Sequence, residues 1–306
     1  MQKLISLAAI AAYTQASETR AIVGTNIGGW MVLEPWITPS LFYRFLGKTH
    51  SEGVAMDSYT MCEALGAEEG NKLMRAHWDA WVTEEHIKGL ADRDVEIIRL
   101  PIGDWILQPY GPYVGCYDGA QDKITWFLDT AEKYNMKVLL DVHGVKGSQN
   151  GFDNSGMANR VTWTDETHFE HQGIGEWMGN WDADKNEYES INQENIDFAK
   201  KTVSLILDKW STHPALHSIE PVNEPWLHSD LGVLKDFYRD VRTMMKERAP
   251  HLVFVFHDAF QTVDILKWND LFADDDHENV VMDTHPYMMY FPKLGNTFIY
   301  EETYKV

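Results

Sequence analysis

The chain is poor in cationic residues: 26 Lys and Arg stand against 47 Asp and Glu among 306 residues, a formal charge of −21. Such a surface repels nucleic acid and anionic membranes and leaves neutral substrates or cations as partners, although much of the charge also serves solubility. Long hydrophobic runs are lacking. The stretch from Leu4 to Ala12 holds nine residues, far short of the ~20 that cross a bilayer, so no membrane anchor is expected. No Gly-x-Gly-x-x-Gly opens a helix, which removes a dinucleotide domain. The loop from Gly144 through Gly147 to Gly151 lacks the Lys-Ser/Thr ending of a phosphate-binding loop. There is no His-x-His or His-Glu-x-x-His spacing, so a metal-dependent hydrolase built on His143, His257 and His285 ranks last, and no cofactor is expected. Cysteine is scarce. Cys62 and Cys116 permit one disulfide in an oxidising compartment, or two buried thiols.

What is present supports a sizeable core: 44% of residues are apolar and 12% aromatic, with twelve Trp. The first residues have the layout of a secretory leader. Lys3 supplies a positive start, Leu4 to Ala12 an apolar centre, and Ala16-Ser17 a small-residue cleavage zone. Residues 1–17 are therefore expected to be a signal peptide, with one domain over 18–306 and a secreted, extracellular or cell-wall monomer as the product.

Beyond the leader, strand-like and helix-like segments alternate. Strands are expected at 22–28, 95–102, 137–143, 217–223, 252–257 and 279–285. Helical spacing separates them, as in Ile196, Val203, Ile206, Leu207 and Trp210, or Leu234, Phe237, Tyr238, Val241 and Met245. A helix is also expected to present Leu73, His77, Trp81 and Val82 on one side, and another to start at the cap Thr83. Residues 41–66 show little periodicity and read as a loop. This alternation argues for parallel βαβ units and suits a (β/α)8 barrel better than a doubly wound sheet. Arg99 is out of place in so apolar a strand unless barrel carboxylates pair with it.

The stretch from His217 to Trp226 organises the rest. Its strand must end by Pro225, which has no N–H to give, leaving Asn223 and Glu224 at the carboxyl edge where barrel enzymes collect catalytic groups. A carboxyl walled by Trp226 has the setting of a general acid, with apolar walls expected to raise its pKa. A plain Asn-Glu-Pro turn capping the next helix would use the same letters.

Asn223-Glu224-Pro225 resembles the acid/base motif of glycoside hydrolases built on (β/α)8 barrels. Further segments narrow the resemblance to family 5, near the exo-β-1,3-glucanases. They are Asn26-Ile27-Gly28-Gly29-Trp30 with Leu33-Glu34-Pro35-Trp36, then Ile98-Arg99-Leu100-Pro101, then Asp141-Val142-His143-Gly144 with Gly147 to Gly156, and finally His285-Pro286-Tyr287. The resemblance implies retaining hydrolysis of β-1,3-glucan, with β-glucan or oligosaccharide as substrate. It makes Glu224 the general acid/base and Asn223 the partner of the sugar 2-hydroxyl. It places His143, His285 and Tyr287 around the cleaved sugar and Glu34 on a terminal glucose, with Arg99 positioning the nucleophile. Phe152 and the tryptophans Trp163, Trp177 and Trp181 of the long 159–190 segment would stack on the glycan.

A retaining glycosidase needs a second carboxylate about 5–5.5 Å from the first. The family takes it from a seventh strand as Gly-Glu-Trp or a close relative, and no such motif follows His285. Six strands are countable, so the barrel is expected to stop after about the sixth. Glu176 in Gly175-Glu176-Trp177 lies upstream of Glu224, and Glu301 and Glu302 lie too near the sixth strand for a helix to intervene. A glycan-binding remnant without its nucleophile is the alternative to an active enzyme.

Overall fold

The computed structural model describes residues 21–261, 266–272 and 278–287. The leader and Glu301 and Glu302 lie outside these residues. Six strands form one sheet: β1 (Gly24–Asn26), β2 (Ile97–Gly103), β3 (Lys137–Gly144), β4 (Leu216–Glu220), β5 (Val253–His257) and β6 (Val280–Asp283). They follow one another in sequence order, and every neighbouring pair is parallel. Helices fill the crossovers: α1 (Ser58–Trp81) and α2 (Glu84–Ala91) before β2, α3 (Ala120–Lys133) before β3, α4 (Gln193–Trp210) before β4 and α5 (Leu231–Arg248) before β5. Parallel strands joined in order by helices build a curved wall, here matching part of a (β/α)8 barrel. Each expected strand is found, most of them shorter than expected.

Alternation along the strands separates two chemistries. Ile98, Leu100, Ile102, Val138, Leu140, Ile219 and Phe254 are fully buried in one apolar cluster that also holds the inner faces of α3, α4 and α5. Each such side chain contributes about 1.5–3 kcal/mol by leaving water. The intervening positions carry Arg99, Asp141, His143, Glu220, His257 and Asp283. Arg99 is thus not stranded in a hydrocarbon core but stands on the polar face of the wall.

Two local readings need correction. The 41–66 region is not all loop, because α1 starts at Ser58, where Asp57 accepts from the Thr60 N–H at 2.8 Å. Gly66 interrupts the helix with φ +70°, and that kink breaks the spacing that would have revealed it. The buried face carries Met74, His77 and Trp78, while Leu73 is half-buried and Trp81 exposed. Likewise the 159–190 segment holds two small hairpins, Thr162–Trp163 with Phe169–Glu170 and Gly179–Asp182 with Glu187–Ile191.

Cys62 and Cys116 are joined in a buried disulfide that ties α1 to the loop before α3, across a sequence separation of 54. Closing a loop of that length restricts the unfolded chain. Cys62→Ser with Cys116→Ser is expected to cost about 2–4 kcal/mol in urea unfolding, and an unchanged midpoint would show that the bond adds nothing.

Candidate active site

The site is assembled at the carboxyl ends of the strands. The segment after β1 is pinned to α1: the Trp30 indole donates to the Trp78 carbonyl at 3.1 Å, the Leu33 N–H to the Ser58 hydroxyl at 2.8 Å, and His77 bonds the Gly29 carbonyl at 2.7 Å. These contacts hold Glu34 inward. Its carboxyl is pushed up by burial, while the neighbouring His143 pulls it down and Asp153 and Glu224 oppose its ionisation.

Arg99 sits lower, on β2. Its guanidinium lies 2.9 Å from Asp141 Oδ2 and 2.9 Å from Glu220 Oε2, both carboxylates fully buried, and it donates to Asn223 Oδ1 at 2.7 Å. Asp141 Oδ2 also bonds His143 Nδ1 at 2.6 Å. With Asn223 Oδ1 held by Arg99, its Nδ2 is left buried without a partner among the described residues. Gln149 stitches the loops after β3 and β4 together, donating to the carbonyls of His143 at 2.8 Å and Asn223 at 2.9 Å.

Glu224 is four residues beyond β4, in a left-handed conformation with φ +42°. Strain of this kind on a non-glycine residue persists where surrounding contacts impose it. Here they do. Oε1 faces His285 Nδ1 at 2.6 Å and the Tyr287 hydroxyl at 3.2 Å, and Oε2 accepts from Asn154 Nδ2 at 3.1 Å. Glu34, Arg99, His143, Asn223, Glu224, His285 and Tyr287 therefore meet in one place. Phe152 stands at the rim, about half exposed, in the same short loop as Asn154.

The electrostatics depart from the sequence reading. Burial does push Glu224 up, but the hydrogen bond and charge of His285, with His143 and His257 adding, outweigh it and hold the carboxyl down at about 2. Burial would lower His285, yet bonds to Asp283 and Glu224 carry it up to about 10. The expectation of an acid raised by apolar walls is thus overturned: histidines from β3, β5 and the turn after β6 surround the group. Both shifts favour an ion pair between His285 and Glu224, whose facing atoms lie 2.6 Å apart.

This pair makes stability depend on pH. The His285 contribution is complete below about 6.5 and is lost as pH rises towards about 10, and the Glu224 contribution is complete above about 4.5 and is lost as pH falls towards about 2. His285→Asn should therefore flatten the dependence of melting temperature on pH on both sides of the 4.5–6.5 window. A profile identical to the parent would exclude the ion pair.

By distance, Glu224, His257 and His285 could hold a cation, their ligand atoms lying within 4.8 Å of one another. The ring protons argue otherwise. His257 Nδ1 accepts from the Ala259 N–H at 3.0 Å, so the neutral ring carries its proton on Nε2, and both nitrogens of His285 face carboxylates. Neither ring offers a lone pair as arranged. The donors do not fit a metal.

Other expected residues have packing roles. Trp177 is fully buried against Phe237, and Trp181 is buried against Trp226 and Tyr188, so neither walls an open cleft. Trp163 stacks on His50 at 4.3 Å. Glu176 is ion-paired with Arg160 at 2.8 Å. Asp153 and Asn154 were missed as individual residues, although both lie inside the Gly147 to Gly156 motif.

Six parallel strands joined by helices match part of a (β/α)8 fold, and the polar side chains at their carboxyl ends meet around Glu224. The chain is homologous to proteins named glucan 1,3-β-glucosidase. It is 34% identical over 278 residues to glucan 1,3-β-glucosidase 2 of Wickerhamomyces anomalus, covering 89% of this chain and 57% of that one. It is 32% identical over 298 residues to the probable glucan 1,3-β-glucosidase A of Emericella nidulans, covering 94% and 64%. The chain thus spans about three-fifths of the length of these relatives. The crystal structure of rutinosidase from Aspergillus niger superposes with a TM-score of 0.68 at 19% identity, covering 88% of this chain and 70% of that one, and shares the fold. No family model matches the chain.

Proposed function

We propose that the protein is a secreted, retaining hydrolase of β-1,3-glucan, of the glucan 1,3-β-glucosidase type, with Glu224 as general acid/base. The observation that carries this reading is the Glu224 carboxylate at the end of β4, hydrogen-bonded to His285, Tyr287 and Asn154, beside the unpartnered Nδ2 of Asn223. That amide would donate to a sugar hydroxyl next to the bond being cleaved. Protonation of the leaving oxygen then draws on the His285–Glu224 pair: the imidazolium returns its proton to the carboxylate, and the carboxylic acid so formed gives that proton to the oxygen, leaving His285 neutral and Glu224 ionised. Attack on the anomeric carbon falls to a second carboxylate that is not among the residues gathered around Glu224. Arg99 positions rather than reacts, fixing Asn223 through its Oδ1. Glu34, His143 and Tyr287 ring the sugar, and Phe152 offers an apolar face to the next unit. The homologues named for glucan 1,3-β-glucosidase activity support β-1,3-glucan as substrate. The leader-like residues 1–17 and the buried disulfide support secretion.

The test is to incubate the protein with a β-1,3-glucan and with a β-1,4-glucan and to follow the first sugar released by NMR. Release of the β-anomer from the β-1,3-glucan is expected. Tight oligosaccharide binding without release would give the glycan-binding reading instead, and absence of binding would overturn both.

A further inference from the structure

A buried carboxyl group costs free energy unless hydrogen bonds or a paired cation offset it. Asp104, the first residue after β2, is inaccessible to solvent. Its Oδ2 accepts from the Lys146 N–H at 2.6 Å and its Oδ1 from the Tyr110 hydroxyl at 3.1 Å. The Lys146 ammonium is turned away, paired with Glu194 of α4 at 2.9 Å. The bond to the Lys146 N–H crosses from the loop after β2 to the loop after β3. These loops meet again further on. Trp105 lies against Gly144 and Gly156, where an added Cβ would strike its ring, and the Tyr113 hydroxyl donates to the Gly156 carbonyl at 2.9 Å. Residues 146–156 are thus pinned at both ends. Between the pins stand two side chains that reach the site: Gln149 donates to the Asn223 carbonyl at 2.9 Å and Asn154 to Glu224 Oε2 at 3.1 Å. The Val145 N–H donates to Gln149 Oε1 at 3.3 Å, so a displacement of Lys146 is passed on to Gln149.

We propose that Asp104 is a positioning residue for the Glu224 site, fastening the loop after β3 through the Lys146 N–H so that Gln149 and Asn154 stand at fixed places. Its kinetic consequence rests on the glucan reading above, whereas the anchoring itself does not. The anchor has a pH dependence of definite sign. Burial pushes the Asp104 carboxyl up to about 7, against the lowering by the Lys146 N–H, the Tyr110 hydroxyl and the Lys146 charge. A loop that lifted away would return the group to water and its ordinary value of 3.8. Protonation therefore favours the fastened loop. That advantage is complete below about 3.8 and is lost as pH rises through about 7. The groups facing Asp104 are Lys146 from the loop after β3, and Tyr110 and Tyr113 from its own loop, whose hydroxyls burial keeps protonated throughout.

Exchange of the Lys146 amide, followed by NMR from about pH 5 to 9 and corrected for its intrinsic rate, tests the anchor without recourse to catalysis. In the parent, protection is expected to fall at least about tenfold as pH passes 7. Asp104→Asn keeps an acceptor for the amide and takes up no proton, so its protection should stay level. Asp104→Ala should lose protection at every pH. Turnover of β-1,3-glucan supplies the second readout. Asp104→Ala should lower kcat at least about tenfold with KM little changed, since a small misplacement of the acid acts on the chemical step. Asp104→Asn should restore kcat and hold it above pH 7, where the parent declines. Parallel protection profiles in the parent and Asp104→Asn would overturn the anchor, and this comparison stands even where Asp104→Ala does not fold. Lost protection with unchanged kcat in Asp104→Ala would overturn the positioning role. Absence of turnover in the parent, with exchange as expected, would overturn the glucan reading and leave the anchor standing.

Discussion

Glu224→Gln is expected to slow hydrolysis of β-1,3-glucan by about 10²–10⁴-fold, the usual worth of general acid assistance, or ~3–5 kcal/mol of barrier. Glutamine keeps the shape and can still accept from His285 through its single oxygen, but it has no acidic proton to pass to the leaving oxygen. The loss should depend on that oxygen. Aryl glucosides whose phenolate departs unassisted should keep the first step near the parent rate and stall at the second, where the same residue activates water. The two substrate classes therefore separate by the whole effect. Equal losses on both would remove Glu224 from the acid role and leave it a structural turn residue.

Arg99→Ala is expected to destabilise the protein by about 3–5 kcal/mol, because it strips the cation from buried carboxylates. Asp141 and Glu220 are both inaccessible, and Arg99 lies 2.9 Å from each. Glu220→Gln should behave differently. Burial pushes the Glu220 carboxyl up, Arg99 pulls it down, and Asp141 and Asp283 push it up again, to about 8. An amide in its place keeps the shape and can still accept from Arg99, so this change should cost less than loss of the cation. Urea unfolding of both variants decides between these accounts. Comparable losses would mean that Glu220 is ionised and pairs fully with Arg99.

Much of the wall was legible because strand residues such as Val138 to Leu140 and Val253 to Phe256 form short apolar runs between helical spacings. The site's membership was legible for a related reason: strand ends are fixed by sequence, and a barrel gathers strand ends. What could not be read is whatever depends on one strand meeting another. The Glu224 carboxyl is lowered by His285, 61 residues away, and no window around Glu224 contains that information. Trp177 and Trp181 look the same in sequence whether they face a cleft or a core, and only the second hairpin turns them inward. The start of α1 was hidden by Gly66, since periodicity is lost across a kink even where the cap at Asp57 is sound.

The strand order also bears on how the protein emerges from the ribosome. Every sheet neighbour is the strand synthesised just before, and every helix packs beside strands made within the same stretch of translation. Sequence-local pairing of this kind keeps loop closure short and lets structure accumulate behind the exit tunnel, since domains emerge from the N-terminal side. Cys116 follows β2 and precedes β3. The link to Cys62 can therefore close while the chain is still growing, clamping α1 over the first two strands before the third is delivered. An oxidant acting only after release would meet a thiol pair already enclosed, so the timing of oxidation during synthesis should govern the yield of native protein.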